Sequence, residues 1–170
     1  MDYCMECGTK LEERFLEGEG NVPYCPTCQQ FRFPVFSTAV SMVVLNPTMD
    51  KILLIQQYGQ PLNVLVAGYI SKGENAEHAS HREIMEEIGI EAKMLCYNKS
   101  EYYPRTNTIL FNYTYVAASE DLNHTNREVD KAGWYSFGEA RQVIKKNSLA
   151  ENFLRYYLDK VENTGKKNPC

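Results

Sequence analysis

From residue 37 onward, the apolar positions fall into runs that alternate between strand and helix periods. Ser37–Leu45 (STAVSMVVL) and Lys51–Gln57 (KILLIQQ) are apolar and rich in β-branched residues. The Asn46-Pro47-Thr48-Met49-Asp50 segment between them is a turn signal, so the pair predicts a hairpin. Leu62–Ala67 (LNVLVA) predicts a further short strand, ended by Gly68 and followed by a loop through Gly73. Asn75 then suits a helix N-cap, and Glu77 places a negative charge in the first turn. Ala76, Ser80, Ile84 and Ile88 recur at multiples of four and form one narrow stripe of an amphipathic helix, which Gly89 stops. Further strands are expected at Ala92–Tyr97, Thr108–Ala117 and Ala132–Tyr135, and helices at Gly138–Lys146 and Leu149–Val161. The order of hairpins and strands around a helix predicts an α/β fold, a mixed β-sheet with helices on its faces. The expected main domain is 37–161, followed by a flexible polar tail, 162–170.

The first thirty residues differ. Their large apolar side chains are scattered (Met5, Leu11, Phe15, Leu16, Val22, Tyr24), and a segment this short needs a metal, disulfides or a partner to fold. It holds four of the six cysteines, as Cys4-x2-Cys7 and Cys25-x2-Cys28 with 17 residues between the pairs. Two Cys-x-x-Cys knuckles present four thiolates to tetrahedral Zn²⁺, and Gly8 and Pro26 suit their tight turns. The N-terminus, Met1-Asp2-Tyr3-Cys4, does not read as a secretion signal, so a disulfide framework is the weaker reading. The expectation is a structural zinc ribbon at 1–30 and a Pro/aromatic connector at 31–36.

Composition removes several functions. Lys plus Arg number 18 and Asp plus Glu 22, a net charge of −4, which argues against a protein that holds nucleic acid by a net-basic surface. In residues 1–30 only Lys10 and Arg14 face six acids (Asp2, Glu6, Glu12, Glu13, Glu17, Glu19), so the ribbon is no phosphate-binding adaptor. No apolar run is long enough for a membrane helix. The expected location is cytoplasmic.

The chemistry concentrates in the predicted helix. Glu83, Glu86 and Glu87 are spaced i, i+3, i+4 and share one helix face. On spacing alone an acidic solvated face fits equally well. Clustered carboxylate oxygens, however, suit Mg²⁺, which keeps several waters and meets substrate phosphates. Splitting a pyrophosphate uses such an ion to screen charge and to acidify an attacking water.

Residues 68–90 resemble the Nudix box, Gly-x5-Glu-x7-Arg-Glu-U-x-Glu-Glu-x-Gly-U with U a bulky aliphatic residue. Every fixed position is present: Gly68, Glu74, Arg82, Glu83, Ile84, Glu86, Glu87, Gly89 and Ile90. The resemblance implies an α/β/α sandwich and a pyrophosphohydrolase that uses Mg²⁺ or Mn²⁺. It implies that Glu83, Glu86 and Glu87 bind metal, with one as general base, and that a backbone carbonyl near Ala67 or Gly68 adds a ligand. Arg82 would orient a box carboxylate, and Glu74 would tie the loop to the helix.

A zinc ribbon before such a domain is similar to the arrangement in NADH pyrophosphatases. That subfamily carries Ser-Gln-Pro-Trp-Pro-Phe-Pro-x-Ser after the box; here Ser100 and Pro104 survive, with Tyr103 in place of Trp and Thr108 in place of Ser. Glu128 aligns with a further metal-binding glutamate of the subfamily, an ordinary surface acid being the alternative. Tyr69 and Tyr103 are candidates to stack on a base, and Arg105 to meet a phosphate. His78 and His81 lack a third metal ligand and read as surface residues.

The expected function is cleavage of a nucleoside diphosphate linked to another moiety (ADP-ribose, NAD(H) or related dinucleotides) into a nucleoside monophosphate and a phosphorylated product. The alternatives are a catalytically weak nucleotide-sensing module and removal of NAD-type caps from RNA. The expected partner is a small nucleotide, with no membrane and no nucleic acid beyond capped RNA ends; a homodimer is compatible with the sequence.

Overall fold

In the computed structural model, which describes residues 2–165, the chain divides into two units that meet between Phe36 and Ser37. The first carries a three-stranded antiparallel sheet of β1 (Glu12–Leu16), β2 (Gly20–Cys25) and β3 (Gln30–Phe31), in that order. Its buried apolar side chains are few: Val22, with the Cys4 and Cys25 thiols.

The second unit is built on a six-stranded mixed sheet. β4 (Ser37–Leu45) lies at its centre, parallel to β8 (Thr108–Ala117) and antiparallel to β5 (Lys51–Gln57) and β6 (Val66–Tyr69). β7 (Ala92–Tyr103) pairs with β8, and β9 (Val129–Ser136) pairs with β5, giving the order β7-β8-β4-β5-β9 with β6 on β4. Alternation along β4 separates two cores. Val40, Met42 and Val44 pack with Ile84 and Ile88 of α1 (Ala76–Ile88). Val43 and Leu45 pack with Ala140 of α2 (Phe137–Val143) and with Phe153, Leu154, Tyr157 and Leu158 of α3 (Leu149–Thr164). Each face of the sheet is therefore covered by helix, which makes the three-layer α/β/α sandwich.

Helix α1 is bounded as its sequence predicts. The Asn75 side chain accepts from His78 N at 2.8 Å, and Gly89 caps the far end with φ +71, its N–H donating to Met85 O. The expected stripe is observed at Ser80, Ile84 and Ile88, with Ala76 half-buried; Ala79 and Glu87 are buried beside it.

Three boundaries move. The strand expected at Leu62–Ala67 is instead Val66–Tyr69, running through Gly68, while residues 63 and 64 make only isolated bridges. β7 does not stop at Tyr97 but continues to Tyr103 through two register shifts. The polar run that suggested a stop is absorbed because Asn98 turns inward and donates to Asn112 Oδ1 and Thr114 Oγ1 at 2.8 and 2.9 Å. The tail expected at 162–170 begins as helix, since α3 runs to Thr164 and ends on Gly165 at φ +63; residues 166–170, Cys170 among them, lie outside the described residues. Smaller shifts lengthen β9 to Val129–Ser136 and shorten α2, which starts at a Ser136–Glu139 capping box.

Leu54 is 1% exposed in the core under α3. Leu54→Ala is expected to cost about 2–5 kcal/mol, whereas the exposed Met94→Ala should stay within about 0.5 kcal/mol; urea midpoints of the two variants check this.

Candidate active site and metal centre

The site is assembled where β6 passes the middle of α1. Gly68 is needed there for space, not for conformation: a Cβ on it would overlap the carboxyl of Glu83. The glycine that lets β6 run past its expected end also lets that carboxylate lie against the backbone. Arg82 fixes the surroundings. Its Nε and Nη2 donate to the two oxygens of Glu74, both at 2.9 Å, its Nη1 to Glu83 Oε1 at 2.7 Å and Glu86 Oε2 at 2.9 Å, and its Nη2 also to Tyr69 O at 3.0 Å. The guanidinium, with a backbone bond from Ser71 N, holds the Glu74 carboxyl at about 2, well below the usual carboxylate range.

The three box glutamates divide. Glu86 is turned to Arg82 with 57% of its side chain exposed. Glu83 is mostly buried between Arg82 and Gly68. Glu87 is 3% exposed and meets Gln57, whose Nε2 donates to Oε1 at 2.9 Å, while Oε2 is buried with no hydrogen-bond partner. Burial raises its carboxyl to about 7, the Gln57 bond opposes this, and the charges of Glu83, Glu128 and Glu86 add to the rise. An orphaned carboxylate oxygen among like charges is costly unless a cation answers it. This donor set fits a hard divalent ion.

Glu83 and Glu87 line a cleft of about 740 Å³, together with Ala67, Gly68, Tyr69, Arg82, Tyr103, Arg105 and Glu128. Glu86 is absent from that lining. Every stacking or phosphate candidate from the sequence thus faces one cavity, of a size that suits a small-molecule ligand. Its lining also includes the apolar Ala39, Leu65, Leu110, Leu149, Ala150 and Phe153. Glu128 is exposed and accepts from Tyr58 OH at 3.3 Å. A one-residue bulge at Asp130 precedes Gln57↔Val129 in the β5–β9 ladder, and Asp130 Oδ2 accepts from Gly59 N.

Gln57, Tyr58, Lys145 and Asn147 also line the cleft, and sequence reasoning does not find them. Gln57 ends a strand and Lys145 and Asn147 lie in an αα connection, with no spacing signal; only the Tyr-Gly pair at 58–59 marks a turn. His78 is exposed and His81 lies 3.5 Å from Glu91; neither lines the cleft.

In the first unit, Cys4, Cys7, Cys25 and Cys28 place their sulfurs within 4.8 Å of one another, and they are the one such ligand cluster among the described residues. Tight turns deliver them: Gly8 N donates to Cys4 O at 2.8 Å, and Cys28 N to Cys25 Sγ at 3.3 Å. Arg32 Nε donates to Cys4 Sγ at 3.2 Å and lowers that thiol to about 6. All four are free thiols and could hold one metal ion.

The three-layer sandwich brings its glycine, arginine and two of the glutamates to one cleft. A NUDIX domain model matches residues 35–157, and the chain belongs to the Nudix family. Curated relatives named NAD-capped RNA hydrolase NudC include those of Pseudomonas aeruginosa, 27% identical over 92% of this chain and 55% of the relative, and of Yersinia enterocolitica, 28% identical over 89% and 57%. The chain spans little more than half the length of these relatives. Among solved structures, a NUDIX hydrolase from Nitrosomonas europaea has the same fold, with TM-score 0.68 and 18% identity over 96% of this chain and 93% of that one. The NUDIX domain of Shewanella oneidensis NrtR, solved with ADP ribose, gives TM-score 0.59 at 17% identity, over 81% and 94%.

Because burial lifts Glu87 from the ordinary 4.5 to about 7, the native state keeps that proton longer than the unfolded chain. Its contribution to metal-free stability is full below about 4.5 and is lost as pH rises through 7. Glu87→Gln is therefore expected to match the parent at pH 5 and to exceed it by about 1–3 kcal/mol at pH 8, measured by urea unfolding in chelator.

Proposed function

We propose that the chain is a divalent-metal pyrophosphohydrolase that splits a nucleoside diphosphate linked to another moiety into a nucleoside monophosphate and a phosphorylated product. The observation that carries this reading is the buried, unpaired Glu87 Oε2 at a cleft shared with Glu83 and Glu128. Mg²⁺ or Mn²⁺, when bound, supplies charge screening for the diphosphate and a more acidic water. Glu83, Glu87 and Glu128 would hold that ion, with a backbone carbonyl of Ala67 or Gly68 as a further ligand. Glu86 shares Arg82 with Glu83 and keeps the guanidinium in place. One of the box carboxylates serves as general base toward the attacking water. Tyr69 and Tyr103 offer ring faces to a base, and Arg105 offers a phosphate contact.

ADP-ribose and NAD(H) lead as substrates, because the cleft has the size of a small-molecule site; Tyr103, Arg105, Thr106 and Thr108, which help to line it, belong to a segment that keeps little of the NADH-type motif, so no preference for NADH is expected. Removal of NAD-type caps from RNA is a second reading, favoured by the names of the curated relatives. In the first unit the thiols hold one structural Zn²⁺ that stands in for a missing core.

A panel of ADP-linked diphosphates assayed with Mg²⁺ is expected to show hydrolysis of several, with ADP-ribose at least comparable to NADH in kcat/KM. Glu83→Gln and Glu87→Gln should each lower turnover by roughly 10²–10⁴-fold, while Glu77→Gln, on the same helix, should be nearly silent; equal behaviour of all three would overturn the site.

Metal analysis of the reduced protein is expected to find one zinc per chain. Cys25→Ser should release it and open the first unit to protease.

A further inference from the structure

The end of β5 combines an expensive backbone with two side chains that each grip a carboxylate. Tyr58 and Gly59 have left-handed φ values of +56 and +67, and Gln60 N donates to Gln57 O at 3.0 Å. This is the pattern of a type I′ turn, whose central positions favour Asn, Asp or Gly. A tyrosine there brings its Cβ close to the following carbonyl, and for a bulky side chain such a φ is an outlier. Burial does not compensate, because Tyr58 is 70% exposed. The hydrogen bond recorded for its side chain is the one its hydroxyl donates to Glu128. Strain kept without packing in return marks a position held for function.

The preceding residue acts in parallel. Gln57 donates to one oxygen of Glu87 and leaves the other unpaired. Consecutive residues at one strand end thus reach two carboxylates from different parts of the chain, Glu87 in α1 and Glu128 just before β9. The bulge at Asp130 belongs to the same device, since it resets the ladder beside Glu128 while Asp130 ties down Gly59 of the turn. Both donors are neutral. A lysine at either place would cancel the charge that attracts a cation, and an acid would repel its neighbour; an amide or a phenol fixes one oxygen and leaves the rest of the carboxylate free.

We propose that Gln57 and Tyr58 form a carboxylate clamp, a pair of positioning residues that aim Glu87 and Glu128 at one divalent cation. The clamp rests on the divalent-metal reading of the site given above. It makes metal affinity the property that these two residues set.

The test uses the full zinc-loaded chain, with Mn²⁺ binding followed by electron paramagnetic resonance and Tm measured alongside. The parent is expected to bind Mn²⁺, and Glu87→Gln serves as the reference without the buried carboxylate. Tyr58→Phe, which keeps the strained turn and loses only the hydroxyl, should raise the Mn²⁺ half-saturation about tenfold with Tm within about 1 °C. Tyr58→Asn should weaken Mn²⁺ equally while raising Tm by roughly 2–4 °C, because it relieves the turn. Gln57→Leu should also weaken Mn²⁺ about tenfold. A merely structural role would lower Tm and leave Mn²⁺ binding alone. Parent-like Mn²⁺ binding in Tyr58→Phe and Tyr58→Asn, or in Gln57→Leu, overturns the clamp. A parent chain that binds Mn²⁺ no better than Glu87→Gln overturns the metal reading itself, and that result is read before any clamp variant is made.

Discussion

One guanidinium makes the acidic helix α1 tenable. Glu83 and Glu87 are an i, i+4 pair of like charge, with Glu86 beside them, and such placements weaken an isolated helix. Arg82 answers this by bonding both oxygens of Glu74, one oxygen each of Glu83 and Glu86, and the carbonyl of Tyr69. A planar fork is suited to this, since its donors are fixed and it remains charged at any working pH. These bonds join three stretches of chain: the end of β6, the loop before α1, and the helix itself. Without them the Glu83 carboxyl would have no reason to lie against Gly68, where a side chain would collide with it. The network is part-buried, with Glu86 at its exposed edge, and what it fixes is the placement of the carboxylates.

Glu87 stands outside that network, and the difference assigns the carboxylates separate tasks. Arg82 neutralises Glu74, Glu83 and Glu86, whereas Glu87 faces a neutral amide and keeps one oxygen unpaired in the protein interior. A second cation from the chain would have made the site more stable and less able to attract an ion. The fold instead leaves one buried charge unanswered at the edge of a cleft, which is the arrangement expected where stability is traded against function. The bulged end of the β5–β9 ladder lies beside this arrangement, since Gln57 and Glu128 both line the cleft.

What could be read from the sequence follows from how local each signal is. Helix α1 shows both caps and its buried stripe within fifteen residues, and the motif around it within twenty-three; β4, β5 and β8 are apolar enough to declare themselves. β6 was displaced because its strand runs through Gly68, and a glycine reads as a stop when its partner, the Glu83 carboxylate, lies far along the chain. β7 was cut short because Asn98 reads as surface until Asn112 and Thr114 are known to face it. Equal spacing also hid the contrast among the glutamates: the helical period places Glu83, Glu86 and Glu87 together, but only packing shows that Glu87 is buried while Glu86 remains exposed. Gln57, Tyr58 and Lys145 reach the cleft through tertiary contacts alone, and no residue pattern announces them.

The two units meet the same electrostatic problem with different amounts of core behind them. Arg32 does for the thiols part of what Arg82 does for the carboxylates, donating to Cys4 and at 2.6 Å to Glu6. In the second unit two apolar clusters hold the strands and helices whether or not the carboxylates find a cation, so the acids need not converge, and they do not form a tight ligand set in the manner of the thiols. In the first unit little besides Val22 is buried with the sulfurs, so the four thiols are themselves the centre about which the strands are arranged. An ion held among the thiols would then be part of folding, whereas one held among the carboxylates would be part of the proposed chemistry. The difference lies in the amount of apolar surface each segment can bury, and it is already written in the distribution of leucine, isoleucine and valine along the chain.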